Sequence, residues 1–468
     1  MGTRGESLQA DSDQHRRLQA GGQEPARLHA QIGKAEQRGV QGVALMGRDG
    51  SLLLFLALLL FSTPLSGSSL SGSSIGDDPS AGEKALRVAL AADAEEAIVS
   101  ALALLANEGG ARAITLICRV GSRFPGDPVR SAVRDALQRR GDGEWAGLLA
   151  AQFAASRDPK VAVIAVEGLV ASFSAEAVPA LIEALESIDR AVVLTAVRGL
   201  RLIPDRRSLA PLVDLVCSLE DRRNALWAEA RVTLSALGNR SYRHCEDWRK
   251  WLAVIPADWQ PGSDTSVAVG KTGVEHPSDD DLPTVFGQEV ASKRVVFVLD
   301  TSSSMAEKDT VAGESGSAPS SRVRMERAKA ELIGVLGRLR PDVFFNIVGY
   351  STDVATFKGK LVASKGTRLK QAIRWVGALQ PQGYTSTGEA LKVALSIEGV
   401  DTIILLSDGT PTDRYTGKRI RVLPIVERVR RQNRFLKVTI HTLGFRGANE
   451  PFMKQLARDS GGIYAPIR

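Results

Sequence analysis

Asp300, Ser302 and Ser304 place a carboxylate and two hydroxyls at every second position, directly after the apolar run Val295-Val296-Phe297-Val298-Leu299. A run of that length and composition reads as a buried strand. The loop that follows therefore gathers hard oxygen donors above the end of a sheet. Such donors suit Mg²⁺, Mn²⁺ or Ca²⁺ and are poor ligands for softer ions. Taken alone, the segment is equally well explained by a loop whose serines cap the next helix. Oxygens further along the chain must decide between the two.

They follow in order. Thr385 lies in Gly383-Tyr384-Thr385-Ser386-Thr387-Gly388, just ahead of a helix that opens with Glu389-Ala390-Leu391-Lys392. Asp408 ends a second apolar strand, Thr402-Ile403-Ile404-Leu405-Leu406-Ser407. In open α/β sheets ligands bind beyond the carboxyl ends of strands, at the topological switch point, and both carboxylates stand at such ends. Asp300, Ser302, Ser304, Thr385 and Asp408 together resemble, residue by residue, the metal-ion-dependent adhesion site of the von Willebrand factor A (vWA) family. Phe345-Asn346-Ile347-Val348 and Gly461-Gly462-Ile463-Tyr464 are similar to further landmarks of that family.

The resemblance covers residues 293–468. It implies an α/β, Rossmann-like domain with a mostly parallel central sheet and one Mg²⁺ (or Mn²⁺ or Ca²⁺). It also implies Ser302 and Ser304 as direct ligands, with Asp300, Thr385 and Asp408 bound directly or through water. One coordination position is left open to an acidic side chain of a protein partner. The chain departs from the family pattern in a polar insertion, Ala306 to Ser321, and in Ser303, where many relatives carry Gly.

The elements that must hold these loops alternate in type, which calls for a parallel sheet covered on both faces. The pattern predicts strands over Val295–Leu299, Val343–Tyr350, Val354–Leu361, Thr402–Leu406 and Val438–Leu443, with a last one near Tyr464–Ile467. Helices are predicted over Arg322–Leu339, Leu369–Leu379, Thr387–Ser396, Arg421–Gln432 and Pro451–Asp459.

Residues 83–256 are of another kind, rich in Ala and Leu with few strand signals. Asp127-Pro128, Asp158-Pro159, Asp189-Arg190 and Asp221-Arg222 each open a predicted helix, and their offsets of 31, 31 and 32 residues mark an internal repeat. Asp is a good N-cap and Pro fits the first helical turn. The repeats resemble short HEAT-like units, which implies an α-helical solenoid with an extended protein-binding surface. Residues 257–292, with Pro261-Gly262 and Asp279-Asp280-Asp281, read as a linker.

The chain of 468 residues has room for two or three domains, and 44% hydrophobic with 24% charged residues is ordinary for globular proteins. Its net charge of +7 is spread thinly. The densest basic stretch, Lys418 to Lys437, has few aromatics for stacking on nucleic acid and reads as the solvated face of an amphipathic helix. Residues 51–61 form an apolar core too short for a comfortable membrane span. With Arg48 before it and small residues after it, 46–68 reads as a signal peptide, or alternatively a membrane anchor, and either implies export to the envelope or beyond. Residues 1–45 are a disordered or untranslated extension.

Cys118 and Cys217 fall in apolar helical patterns, so all three cysteines, Cys245 included, are expected to be unbridged. His244-Cys245-Glu246-Asp247 reads as an acidic helix start. A hydrolase would need a general base. None of the three loops carries a histidine, and Gly313-Glu314-Ser315-Gly316 echoes a nucleophile motif with no partner. The reading is therefore a non-catalytic binding protein, with an envelope scaffold or a metal-dependent hydrolase as alternatives.

Overall fold

The computed structural model describes residues 78–138, 143–262, 282–309 and 322–467. The 1–45 extension, the 46–68 segment, Gly313 to Gly316 and the middle of the 257–292 stretch lie outside them.

From Ala81 to Val254 the chain is helical. The aspartates act as expected at two starts. Asp158 accepts from Lys160 N–H ahead of helix Pro159–Ala171, and Asp189 accepts from Ala191 and Val192 N–H ahead of Arg190–Leu202. The fourth start differs. Asn224 caps helix Ala225–Gly238, and Asp221 lies in the preceding turn. These three helices pack in succession, each on the next. Gly168 and Gly199, one period apart, sit at the close approaches. A Cβ on Gly168 would fall 2.8 Å from Leu149 Cδ2, and one on Gly199 would overlap Val170 Cγ2. One continuous apolar core runs from Leu86 to Trp259.

The cysteine expectation is overturned. Cys217, near the end of helix Leu209–Leu219, is disulfide-bonded to Cys245, the first residue of helix Cys245–Val254, and only Cys118 is free and buried. Cys217 is half-buried, at the edge of its helix's apolar stripe rather than within it. Its Cα lies 5.0 Å from that of Cys245, within bridging range. Periodicity marks which face of a helix is apolar, but not which neighbour that face meets.

The C-terminal sheet is built on β3 (Arg294–Asp300), β4 (Phe344–Tyr350), β7 (Thr402–Ser407), β8 (Thr439–Gly444) and β9 (Tyr464–Pro466); short strands β5 (Val354–Thr356) and β6 (Val362–Ala363) flank β4. An outlying hairpin of β1 (Thr284–Val285) and β2 (Gln288–Glu289) precedes it. Strand order is β5-β4-β3-β7-β8-β9, with β6 also on β4. The pairs β3–β4, β3–β7, β7–β8 and β8–β9 are parallel, while β5 and β6 run antiparallel to β4. Of the single strand expected over Val354–Leu361 only Val354–Thr356 forms, as β5, and β6 begins beyond it at Val362.

Side-chain alternation sorts the sheet into two cores. Phe297, Leu299, Ile404 and Leu406 face helices Arg324–Arg338 and Gly366–Ala378. Val296, Val298, Ile403 and Leu405 face helices Thr387–Ser396, Leu423–Asn433 and Glu450–Ser460. The ends of the expected linker are ordered: Trp259 joins the helical core, while Val285 and Val290 join the sheet core.

The basic stretch does not only face solvent. Lys437 and Arg434 pair with Glu167 of the helical region at 2.7 and 3.5 Å, and Arg190 donates to the backbone carbonyls of Asp401 and Leu436. The helical region therefore docks at the amino-terminal ends of β7 and β8. Among the described residues no helix is long and apolar enough to cross a membrane.

The bridge closes a loop with a sequence separation of 28. Reducing it, or replacing Cys217 with Ser, is expected to destabilise the helical region by about 2–4 kcal/mol. Peptide mapping of non-reduced protein should recover the Cys217–Cys245 pair, and denaturant melts with and without reductant measure its effect.

Candidate metal centre

The chain leaves β3 in one direction for β4 and later returns on its other side as β7. That reversal is the switch point, and Asp300 and Asp408 flank it because β3 and β7 pair in parallel from Val295↔Thr402 to Leu299↔Leu406. Asp300 is fully buried. Its Oδ1 accepts from Ser302 N–H at 2.9 Å, and its Oδ2 accepts from the Ser407 hydroxyl at 2.6 Å and the Tyr350 hydroxyl at 3.2 Å.

Ser302 Oγ lies 3.1 Å from Ser304 Oγ, which donates to Asp408 Oδ1 at 2.8 Å. Thr385 is buried, and its hydroxyl faces the same space: a Cβ built on Gly409 would lie 3.3 Å from Thr385 Oγ1 and 3.8 Å from Asp300 Oδ2. Two clamps hold the loops together. Gln382 N–H donates to Thr301 O at 2.8 Å and Ser303 N–H to Gly383 O at 3.1 Å. Thr385 N–H donates to Thr412 Oγ1 at 2.8 Å, and Thr412 N–H to Thr385 O at 3.0 Å. Gly383 needs its φ of +70°, and a Cβ there would run into Thr352. Ser303 is exposed and takes no left-handed backbone, so a side chain is tolerated at that position.

All five predicted residues therefore converge. Three other participants were missed. Tyr350 pairs in register with Asp300 across β3–β4, and Ser407 precedes Asp408 at the end of β7, so strand-end position was a usable signal for both. Arg324 gave no local signal; its Nη1 donates to Asp408 Oδ2 at 2.8 Å.

Burial, reinforced by the nearby Asp408 carboxylate, pushes Asp300 up to about 6, against the hydrogen bonds from Ser407 and Ser302. Burial also raises Asp408, with Ser304 and Arg324 pulling the other way. His441 lies within β8 and is driven down to about 4 by burial. Among the described residues no group of three or more His, Cys, Asp or Glu is disposed around a metal position. The cluster instead combines two carboxylates with three hydroxyls. That donor set is all hard oxygen, short of the charge that would saturate a divalent cation, and it fits Mg²⁺ or Mn²⁺.

Residues 293–465 match the von Willebrand factor type A domain family, so the C-terminal part of the chain is a vWA domain. Over 203 residues the chain is 27% identical to inter alpha-trypsin inhibitor, heavy chain 4, of Mus musculus, covering 41% of this chain and 19% of that protein. Over 184 residues it is 26% identical to inter-alpha-trypsin inhibitor heavy chain H2 of Homo sapiens, covering 36% and 17%. The chain thus spans less than a fifth of the length of these relatives. Similar solved structures include a von Willebrand factor type A protein from Catenulispora acidiphila, at 21% identity and TM-score 0.30 over 38% of this chain and 40% of that one. Another is BatB from Bacteroides thetaiotaomicron, at 19% identity and TM-score 0.26 over 37% and 88%.

Because Asp300 holds its proton up to about pH 6 when folded, against 3.8 for the ordinary group, raising the pH through that window removes stability from the metal-free protein. Melting temperature measured in chelator should fall between about pH 4 and pH 6, and Asp300→Asn should flatten that slope. A slope that survives in Asp300→Asn assigns it to other groups.

Proposed function

We propose that the vWA domain holds one divalent cation, Mg²⁺ or Mn²⁺, at Asp300, Ser302, Ser304, Thr385 and Asp408, and uses it to capture a protein partner through an acidic side chain. The observation that carries this reading is the convergence of two buried carboxylates and three hydroxyls at the switch point, with few protein charges to saturate an ion. When bound, the ion would supply an open Lewis-acidic position for a partner carboxylate. The chain's own residues do the rest. Asp300 and Asp408 supply the negative charge, Ser407 and Tyr350 orient Asp300, and the Thr385–Thr412 clamp fixes the third loop.

In this reading the protein is not an enzyme. His441 lies within β8, away from the three site loops in sequence, and is poorly basic. The helical region acts as a HEAT-like scaffold, supported by the Asp-capped starts and by the recurrent close approach at Gly168 and Gly199. The protein is exported. The Cys217–Cys245 bridge supports this, because disulfides persist in oxidising compartments and are rare in reducing ones.

Calorimetric titration of the full chain with Mg²⁺ or Mn²⁺ tests the site. The Ser302→Ala, Ser304→Ala double variant should bind at least roughly tenfold more weakly. Asp408→Ala should keep the fold, since its strand core is untouched, and lose partner capture in Mg²⁺. Capture equal in wild type, in Asp408→Ala and in chelator would move the binding to the helical region and sink the metal-dependent reading.

A further inference from the structure

Beyond the five oxygen donors, the cluster contains a cation that belongs to the chain itself. The polar insertion begins and ends in a clasp. Lys308 pairs with Val323 as an antiparallel bridge, Asp309 N–H donates to Arg322 O at 3.0 Å, and Arg324 N–H donates to Glu307 O at 3.0 Å. The clasp delivers Arg324, first residue of helix Arg324–Arg338, into the site with a relative exposure of only 8%. A guanidinium at a helix N-terminus opposes the macrodipole, so helix stability does not explain it.

What Arg324 touches does. Its Nη1 donates to Asp408 Oδ2 at 2.8 Å, to Glu307 Oε2 at 3.0 Å and to Ser304 O at 3.4 Å. Its Nε donates to Asp309 Oδ1 at 3.0 Å. Asp309 is held on its other oxygen by Arg327, which lies over the Phe286 and Phe445 rings at 6.0 and 5.7 Å. One end of the guanidinium is therefore anchored on a buried carboxylate. The other is divided between Asp408, inside the site, and the exposed Glu307, outside it.

We propose that Arg324 is a built-in competitor for Asp408 that sets the divalent-cation affinity of the site, with Glu307 as its alternative resting place. This rests on the metal-binding reading above. A positive charge within hydrogen-bond reach of Asp408 repels an incoming divalent ion and occupies one of the two oxygens of that carboxylate. Loading the site therefore requires the guanidinium to shift its weight from Asp408 to Glu307, while Asp309 keeps it from swinging away. The Arg324–Glu307 pair thereby determines the cation concentration at which the domain becomes competent for an acidic partner. The two arginine contacts act in opposite directions, since Asp408 opposes loading and Glu307 favours it.

The test is calorimetric titration of the full chain with Mn²⁺ alone. Arg324→Gln keeps amide donors while removing the charge, and it should tighten Mn²⁺ binding by roughly tenfold or more. Arg324→Lys, which keeps the charge, should stay within about threefold of wild type. Glu307→Gln should weaken binding in the wild-type background but have little effect on top of Arg324→Gln, a coupling that a general field effect of Glu307 would not produce. Glu307 is exposed, so its variant carries the test even if Arg324→Gln fails to fold, as judged by its melt in chelator. Wild type that binds Mn²⁺ while Arg324→Gln binds equally or more weakly overturns the competitor role alone. No Mn²⁺ binding by wild type or by any variant overturns the metal-site reading and this inference with it. Binding by Arg324→Gln but not by wild type supports both.

Discussion

Everything near the site follows from two carboxylates forced into proximity by the pairing of two parallel strands. The apolar side chains of β3 and β7 are all fully buried, and sliding either strand by one residue would exchange the side chains it presents to the two helical layers. Register is therefore set by the core, and with it the adjacency of Asp300 and Asp408. Burying charge is costly unless it is hydrogen-bonded or neutralised. The fold answers differently at the two positions. Asp300 receives three hydrogen bonds and still holds its proton up to about pH 6, whereas Asp408 receives Ser304 and Arg324.

The helical region meets the opposite end. Its contacts fall on Asp401, Leu436, Lys437 and Thr439, at the amino-terminal ends of β7 and β8, while the loops carrying Asp300 and Asp408 follow the carboxyl ends. Glu167 gathers Lys437 and Arg434 there, and burial lowers the pKa of Arg434.

What was legible in the sequence is what is encoded locally. A strand ending in Asp-x-Ser-x-Ser, a helix-opening Thr and a strand ending in Ser-Asp each carry their geometry within a few residues, while the grouping of Asp300, Ser302, Ser304, Thr385 and Asp408 into one site is what their resemblance to the vWA adhesion site implies. Helix Thr387–Ser396 was bounded correctly by the same local signals. The larger misses are tertiary. The Cys217–Cys245 bridge depends on which helix follows which in space, and the docking of Arg434 depends on a surface more than two hundred residues away. The shift from Asp221 to Asn224 reflects competition between two good caps, decided by Arg223, which takes a positive φ of 40° and turns the chain just before the helix.

Arg324 shows why that boundary lies where it does. By helix rules alone, arginines at the first and fourth positions of a helix are poorly placed, and acidic residues would stabilise that turn better. Glu307, Asp309 and Asp408 compensate from outside the helix, two of them across the insertion and one from the far strand end. A position that breaks a local rule while its compensation comes from distant segments is typical of a site under functional constraint rather than of a stability optimum. The same residues that make helix Arg324–Arg338 a poorer isolated helix tie its first turn to the loops after β3 and β7. Glu307 and Asp309, at the start of the insertion, are thus coupled through Arg324 to the charge balance at Asp408.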